Sequence, residues 1–450
     1  MQKVRKIFET QPQFFHLMPS NKLGKQLETI SDILSENKQV LNNILIDIAA
    51  DKDLTVGRSG LNADQILRCA VLKMLMNFTY ERLEFHLSDS QAMRAFAKLD
   101  YNQNPSKSSL QANIKSISED TWEKVNKALV KYSLDTKVET GNMTRTDATA
   151  VETNIHEPAD STLLQDGIRV ITRILLKTKE LCPGLKFSDH NRAAKKRVLN
   201  IMHAKDKKRT KSYKKLLGLA RNVVHYSDQA YAELKAYNGP DFEKKLLAEH
   251  LKGKLEYNLE MLHKVMDQTI RRVINKEKVP SQEKLISFFE PHSDIIKKAR
   301  RDTHFGHKVY LTTGKSGLIL DCMMPRGNPN DSSLVGELVE RQKKTLEKTP
   351  RQISMDGGFA SQNGLNKAKE AGVKDVCFAR KRSLNILDMV KSSYVYKKLR
   401  NFRAGIEAII STMKRAFGLD RCTWRGWEGF KQYVWSSIVA FNLQILSTAK

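Results

Sequence analysis

Two strand-like parts of this chain are separated by a helical stretch over about residues 160 to 300, so its sheet must close between segments far apart in sequence. The first strand candidate runs from Thr144 to Val151. Helical patterning follows, with heptad-like stretches such as KLLAEHLKGKLEYNLEMLHKVMDQTIRRVI. It is interrupted at YNGPD and KVPSQ, where proline cannot continue a helix. Strand patterning returns in THFGHKVYLTTGKSGLILDCMM, whose alternating apolar residues flank GKSG, a hairpin turn signal. Helix (LVGELVERQKKTLEKT), strand (RQISMDG), helix (SQNGLNKAKEAG), strand (VKDVCFAR) and a last long helix complete the series. The order predicts an α/β layer interrupted by a helical excursion, with a core that is not contiguous in sequence. Residues 141–160 and 301–450 form the expected α/β domain, 161–300 a basic helical insertion, and 1–140 a helical N-terminal domain.

In that N-terminal part, Ile66, Cys69, Ala70, Leu72 and Leu75 make an apolar stripe, and Ser118, Asp120 and Glu123 signal a helix start. A helix-turn-helix reading and a packing or dimerising helical domain fit equally. On the first reading, Lys107, Gln111, Asn113 and Lys115 read or grip a DNA end.

Charge narrows the partners. The net charge of +27 exceeds what solubility needs and favours a polyanion through counterion release. It concentrates between Arg192 and Arg221, where twelve Lys or Arg face only Asp206. Lys195, Lys196, Arg197, Lys207, Lys208, Arg209 and Lys211 are candidate DNA contacts, against the alternative of a solvated helical face. Tyr213 inside the run reads as a packing residue, with base stacking the lesser alternative. The five cysteines are scattered and form no CxxC, which argues against a disulfide framework or structural zinc and suits a reducing cytoplasm. The basic N-terminus has no apolar core of a signal peptide, and no uninterrupted apolar run reaches about 18 residues, so neither export nor a membrane span is expected.

Three acidic residues carry the chemistry. Asp147 and Asp356 stand where apolar strands give way to small residues, and Glu407 lies on an amphipathic helix. Phe402, Ile406, Ile409, Ile410, Met413 and Phe417 form the buried stripe of that helix. Arg400, Arg403, Glu407, Ser411 and Lys414 form a second stripe beside it. Arg403 and Glu407 at i, i+4 can be an ordinary surface ion pair. The functional reading puts the three carboxylates on Mg²⁺, a hard cation that needs few of them, and puts Arg403 and Lys414 on phosphates.

Weaker signals resolve otherwise. His304 and His307 point to opposite faces of a strand, which disfavours a joint metal site. TTGKSG lacks the first glycine of a phosphate loop, since position 309 is Val. Trp424, Trp427 and Trp435 read as packing for the last helix.

Several segments resemble the DDE transposases of bacterial insertion sequences. TDATAVETNIHEPADSTLLQDGIRV is similar to the first-Asp segment of that family, MDGGFAS to its second-Asp signature through Asp356, Gly358 and Phe359, and RAGIEAIISTMK to its Arg–Glu–Lys pattern at Arg403, Glu407 and Lys414. GLDRCTWRGWEGF and the N-terminal LRCAVLKMLMNFTYERLEFHLSDSQAMRAF also resemble the family. Arg400 stands where the family often has Tyr. The resemblance implies an α/β, ribonuclease H-like mixed sheet with helices, interrupted here by a large all-helical insertion, plus a helical N-terminal domain. It implies metal ligation by Asp147, Asp356 and Glu407, Mg²⁺ with Mn²⁺ as substitute, and double-stranded DNA as substrate, both transposon ends and target. It also implies a homodimer on DNA, in a bacterial cytoplasm at the nucleoid, that binds inverted repeats, cuts element ends and joins 3′ ends to target. The alternatives are a non-catalytic DNA-binding derivative and a nuclease without strand transfer.

Overall fold

The computed structural model describes residues 21–50, 60–239, 241–298, 302–380 and 382–449. The N-terminal segment read for an export signal lies outside them, apart from its last few residues. The chain divides into two compact units, one of Met1–Asn154 with Ile296–Lys450 and one of Ile155–Ile295.

The first unit opens with α1 (Lys22–Glu36), α2 (Leu41–Ala49), α3 (Ala63–Leu75), α4 (Tyr80–Asp89), α5 (Gln91–Phe96), α6 (Lys107–Ser116) and α7 (Glu119–Asp135). Their starts follow local chemistry: Asn62 and Gln65 form a reciprocal capping box on α3, and Ser118 caps α7 by accepting from Thr121 N. β1 (Met143–Glu152) enters through Gly141, whose φ of +63° suits glycine. There the Glu139 carboxylate accepts from the amides of Thr140, Gly141 and Ser316, which ties the GKSG hairpin turn to the start of β1. That turn is the hairpin the sequence predicts, with Gly317 at φ +90°.

In the second unit α8 (Asp160–Leu181), α9 (Asn191–His203), α10 (Asp206–Ala236) and α11 (Phe242–Thr269) close a core of their own around Leu164, Ile168, Leu216, Leu255 and Leu262.

The chain then builds β2 (Asp294–Lys298), β3 (Asp302–Thr313), β4 (Ile319–Met323), α12 (Val335–Leu346), β5 (Gln352–Met355), α13 (Gln362–Glu370), β6 (Asp375–Phe378), α14 (Ile386–Met389), α15 (Ser393–Ala416) and α16 (Gly426–Ala449). The sheet runs β2-β3-β1-β5-β6, with β4 also paired to β3. β3 lies antiparallel to β1 from Arg145↔Thr313 to Glu152↔Gly306, and β4 is antiparallel to β3. β5 is parallel to β1, and β6 to β5.

Two cores serve this unit. One packs α12, α13, β5, β6 and the first half of α15 around Leu338, Ile353, Phe378 and Leu399. The other joins α1–α7 to β3, β4 and the apolar α16, and includes Ile66, Trp122, Leu320, Trp435 and Phe441. The boundary expected at residue 140 is therefore not a break in packing. α16 is apolar around most of its circumference, and it buries that surface against the N-terminal helices as well as the sheet.

Candidate active site

β1 delivers Asp147, the end of β5 delivers Asp356, and the middle of α15 delivers Glu407. The β1/β5 register pairs Arg145 with Ser354, and each aspartate follows its member of that pair by two residues. Since side chains on a strand repeat their face every two residues, the two acids come out on the side where α15 lies. α15 is capped by Ser392 and turned toward the sheet by Ile406 and Met413, both fully buried.

All three carboxylates meet one guanidinium. Arg403 donates from Nη1 to Asp147 Oδ2 at 2.9 Å and from Nη2 to Glu407 Oε1 at 2.9 Å, and Nη2 stands 3.5 Å from Asp356 Oδ1. The side chains grade from sheltered to open: Arg403 is 14% exposed, Asp147 18%, Asp356 48% and Glu407 66%. Burial pushes the Asp147 carboxyl above the usual carboxylate range and Asp356 adds to this, while the Ala148 amide, donating to Oδ1 at 2.8 Å, and Arg403 pull it back. Negative charge is thus held here at a cost that a cation relieves.

The sequence reading put Arg403 on a DNA phosphate; the structure sets it among the acids instead. Three converging carboxylates repel one another, and a planar fork of donors is the nearest group able to satisfy them. Lys414 is likewise engaged, with Asp420 Oδ1 at 3.1 Å, whereas Arg400 is exposed on α15. Among the described residues no three His, Cys, Asp or Glu side chains form a ready-made metal cage, and at this site the Arg403 fork stands between the acids. The donors themselves are hard carboxylate oxygens, the type suited to Mg²⁺ or Mn²⁺.

The remaining candidates fall as follows. Lys195, Lys196, Lys207, Lys208, Arg209 and Lys211 are exposed and Arg197 is half-buried, while Ala194, Val198, Leu216 and Leu217 of the same helices turn inward. Within that unit Lys207, Arg209, Lys211, Lys214 and Arg272 line a cleft of about 1300 Å³. Tyr213 is buried in the helical core, which excludes base stacking in this arrangement. On α6, Lys107 and Gln111 are exposed, but Asn113 is buried and donates to Ser109 Oγ, and Lys115 lies over the Trp424 ring. Packing needs thus remove Asn113 from any base-reading surface. His304 pairs with Glu152, while His307 is buried against the rings of Trp427 and Phe430, so the two do part across the strand. Trp424 and Trp435 are buried at the last helix, and Trp427 packs against the same core.

Sequence reasoning missed Arg145 and Ser354, which donate to carbonyls of α15, and Gly405 of α15, which packs against the Arg145 guanidinium. The signals were present: two residues before each aspartate on the same face of its strand, and a glycine inside a helical stripe.

A mixed α/β sheet that gathers acids from two strands and a facing helix defines an acid-cluster α/β domain. Residues 284–443 match the family model described as the transposase DDE domain. The match contains Asp356 and Glu407; Asp147, which the fold brings beside them, lies upstream of it. No curated protein and no solved structure matches the chain.

Proposed function

We propose that this protein is a DNA transposase that binds the terminal inverted repeats of a bacterial insertion sequence, cuts at the element ends and joins the freed 3′ ends to target DNA. The observation that carries this reading is the convergence of Asp147, Asp356 and Glu407 on the one guanidinium of Arg403, with two of the three acids inside the matched domain. The strand order β4-β3-β1-β5-β6, three strands antiparallel and then two parallel to β1, supports a ribonuclease H-like fold. The helical unit of Ile155–Ile295, entered after β1 and left before β3, supports an insertion between the first two acids.

Asp147, Asp356 and Glu407 would hold Mg²⁺ or Mn²⁺. When bound, a pair of such ions activates the attacking oxygen and stabilises the leaving one. Asp147 is the most firmly placed ligand, fixed by burial and by the Ala148 amide. Arg403 keeps three like charges together, and its fork fits a phosphate as well as a carboxylate. Water is the first nucleophile, at the element end; the 3′ hydroxyl it frees is the second, at the target. Arg400 and Lys414 extend positive charge along α15. The exposed lysines and arginines of α9 and α10 take the DNA backbone. Since two ends must be joined in one event, the DNA-bound form is at least a dimer, working at the nucleoid.

The test is cleavage of a labelled plasmid carrying the flanking repeats, with Mg²⁺, by the native chain and by Glu407→Gln. End cutting and strand-transfer products that vanish in the variant, while repeat binding persists, support the transposase. Cutting without joined products leaves a nuclease, and binding without cutting by either chain leaves a non-catalytic DNA-binding protein.

A further inference from the structure

Helix α15 is tied to the sheet through its own carbonyls. Ser354 Oγ donates to the Leu399 carbonyl at 3.0 Å, and Arg145 Nη1 donates to the Phe402 carbonyl at 2.6 Å. Those carbonyls are three residues apart, on one side of the helix, and their donors are register partners on adjacent strands. Arg145 is itself fixed, since its Nε donates to Thr313 Oγ1 at 2.9 Å on the other neighbouring strand, and its guanidinium lies 4.5 Å from the centre of the Phe402 ring. Close approach of the helix depends on Gly405. A Cβ there would stand 2.2 Å from Arg145 Nη1 and 3.0 Å from its Cζ, well inside van der Waals distance.

The ties and the acids share one spacing. Asp147 follows Arg145 by two residues on β1, and Asp356 follows Ser354 by two at the end of β5. On the helix, Gly405 sits midway between Arg403 and Glu407. We propose that Arg145, Ser354 and Gly405 are positioning residues that set the height and register of α15 over the sheet, and so fix where Glu407 and Arg403 stand against the two aspartates. The proposal rests on the reading of these acids as the reaction site. A larger residue at 405 must lift the helix or displace the guanidinium, and a shift of about 1 Å in a catalytic group costs on the order of a hundredfold in rate.

The experiment uses the full chain as native, Gly405→Ala, Arg145→Met, the double variant and Ser354→Ala. Each is measured for thermal midpoint, Mn²⁺ affinity by electron paramagnetic resonance, repeat-end DNA affinity by anisotropy, and cleavage rate. Gly405→Ala is expected to lose tenfold or more in cleavage rate and to bind Mn²⁺ more weakly, with DNA affinity and thermal midpoint close to native. In the Arg145→Met background the added alanine should cause no further loss, because the group it would strike is gone. Ser354→Ala, the mildest change, should lower the cleavage rate several-fold and remains informative if Arg145→Met does not fold. Native-like Mn²⁺ binding and cleavage by Gly405→Ala, or losses that simply multiply in the double variant, overturn the proposal while leaving the acids in place. A native chain that neither holds Mn²⁺ nor cuts overturns the reading of the acids, and this proposal with it.

Discussion

Lys73 lies buried on α3, with its ammonium 4.9 Å from the centre of the Tyr80 ring and 5.9 Å from that of Trp424. Burial above all, and then the charge of Lys115, pulls its pKa down to about 8 against the opposing influence of Cys422. Because the folded value lies below the unfolded one, the unfolded chain holds this proton more tightly, and stability rises as pH climbs from about 8 to roughly 10.4. Below that window the folded state bears the full cost of a buried charge. Lys73→Met should therefore stabilise the protein by about 2 kcal/mol at pH 7, after allowance for the attraction between the ammonium and the two rings, and the gain should vanish above about pH 10.5. Urea unfolding across that range checks it; a pH-independent difference would mean the lysine carries no such penalty. Arg403 teaches the complementary lesson: its i, i+4 partner Glu407 was legible in sequence, whereas its bond to Asp147, from a strand far upstream, was not.

Among elements, α12 is anchored by a buried ion pair that extends to a second helix. Arg341 donates to both oxygens of Asp321 on β4 at 2.8 Å each, to the Cys322 carbonyl at 3.0 Å, and to Glu123 of α7 at 3.2 Å. Asp321 is almost wholly buried, and that burial pushes its pKa up against the pull of Arg341. Arg341→Met leaves the carboxylate uncompensated and should cost about 3 kcal/mol, while Arg341→Met with Asp321→Leu should recover most of the loss. A double-mutant cycle in urea measures this, and additive losses would show that the pair does not act as a unit.

At the scale of the whole molecule, the charge and the two-unit division bear on DNA binding. The helices of Ile155–Ile295 have their own core and expose most of the basic run. If six phosphates are neutralised, affinity for repeat-end DNA should fall about a thousandfold between 50 and 200 mM salt. Replacing Lys207, Lys208, Arg209 and Lys211 with Gln should weaken binding by tenfold or more and flatten the salt slope, by about 0.9 for each phosphate no longer neutralised. Anisotropy titrations at several salt concentrations test this, and an unchanged slope would remove these residues from the DNA interface.

Local patterning by itself determined the elements. The β1 segment, the hairpin at GKSG, the stripe of α15 and the helical run between the strands all follow from two-residue and 3.6-residue periodicity and from turn and capping residues, which act over a few positions. All three acids, Asp147, Asp356 and Glu407, were singled out as candidates from short segments of the same kind. What only the tertiary structure decided is what depends on pairing distant segments. The β1/β5 register sets Arg145 beside Ser354, α16 packs the N-terminal helices into one core with the sheet, and Arg403 is directed into the acids. Those outcomes turn on which buried donor reaches which acceptor once the chain has closed, and no local period encodes that.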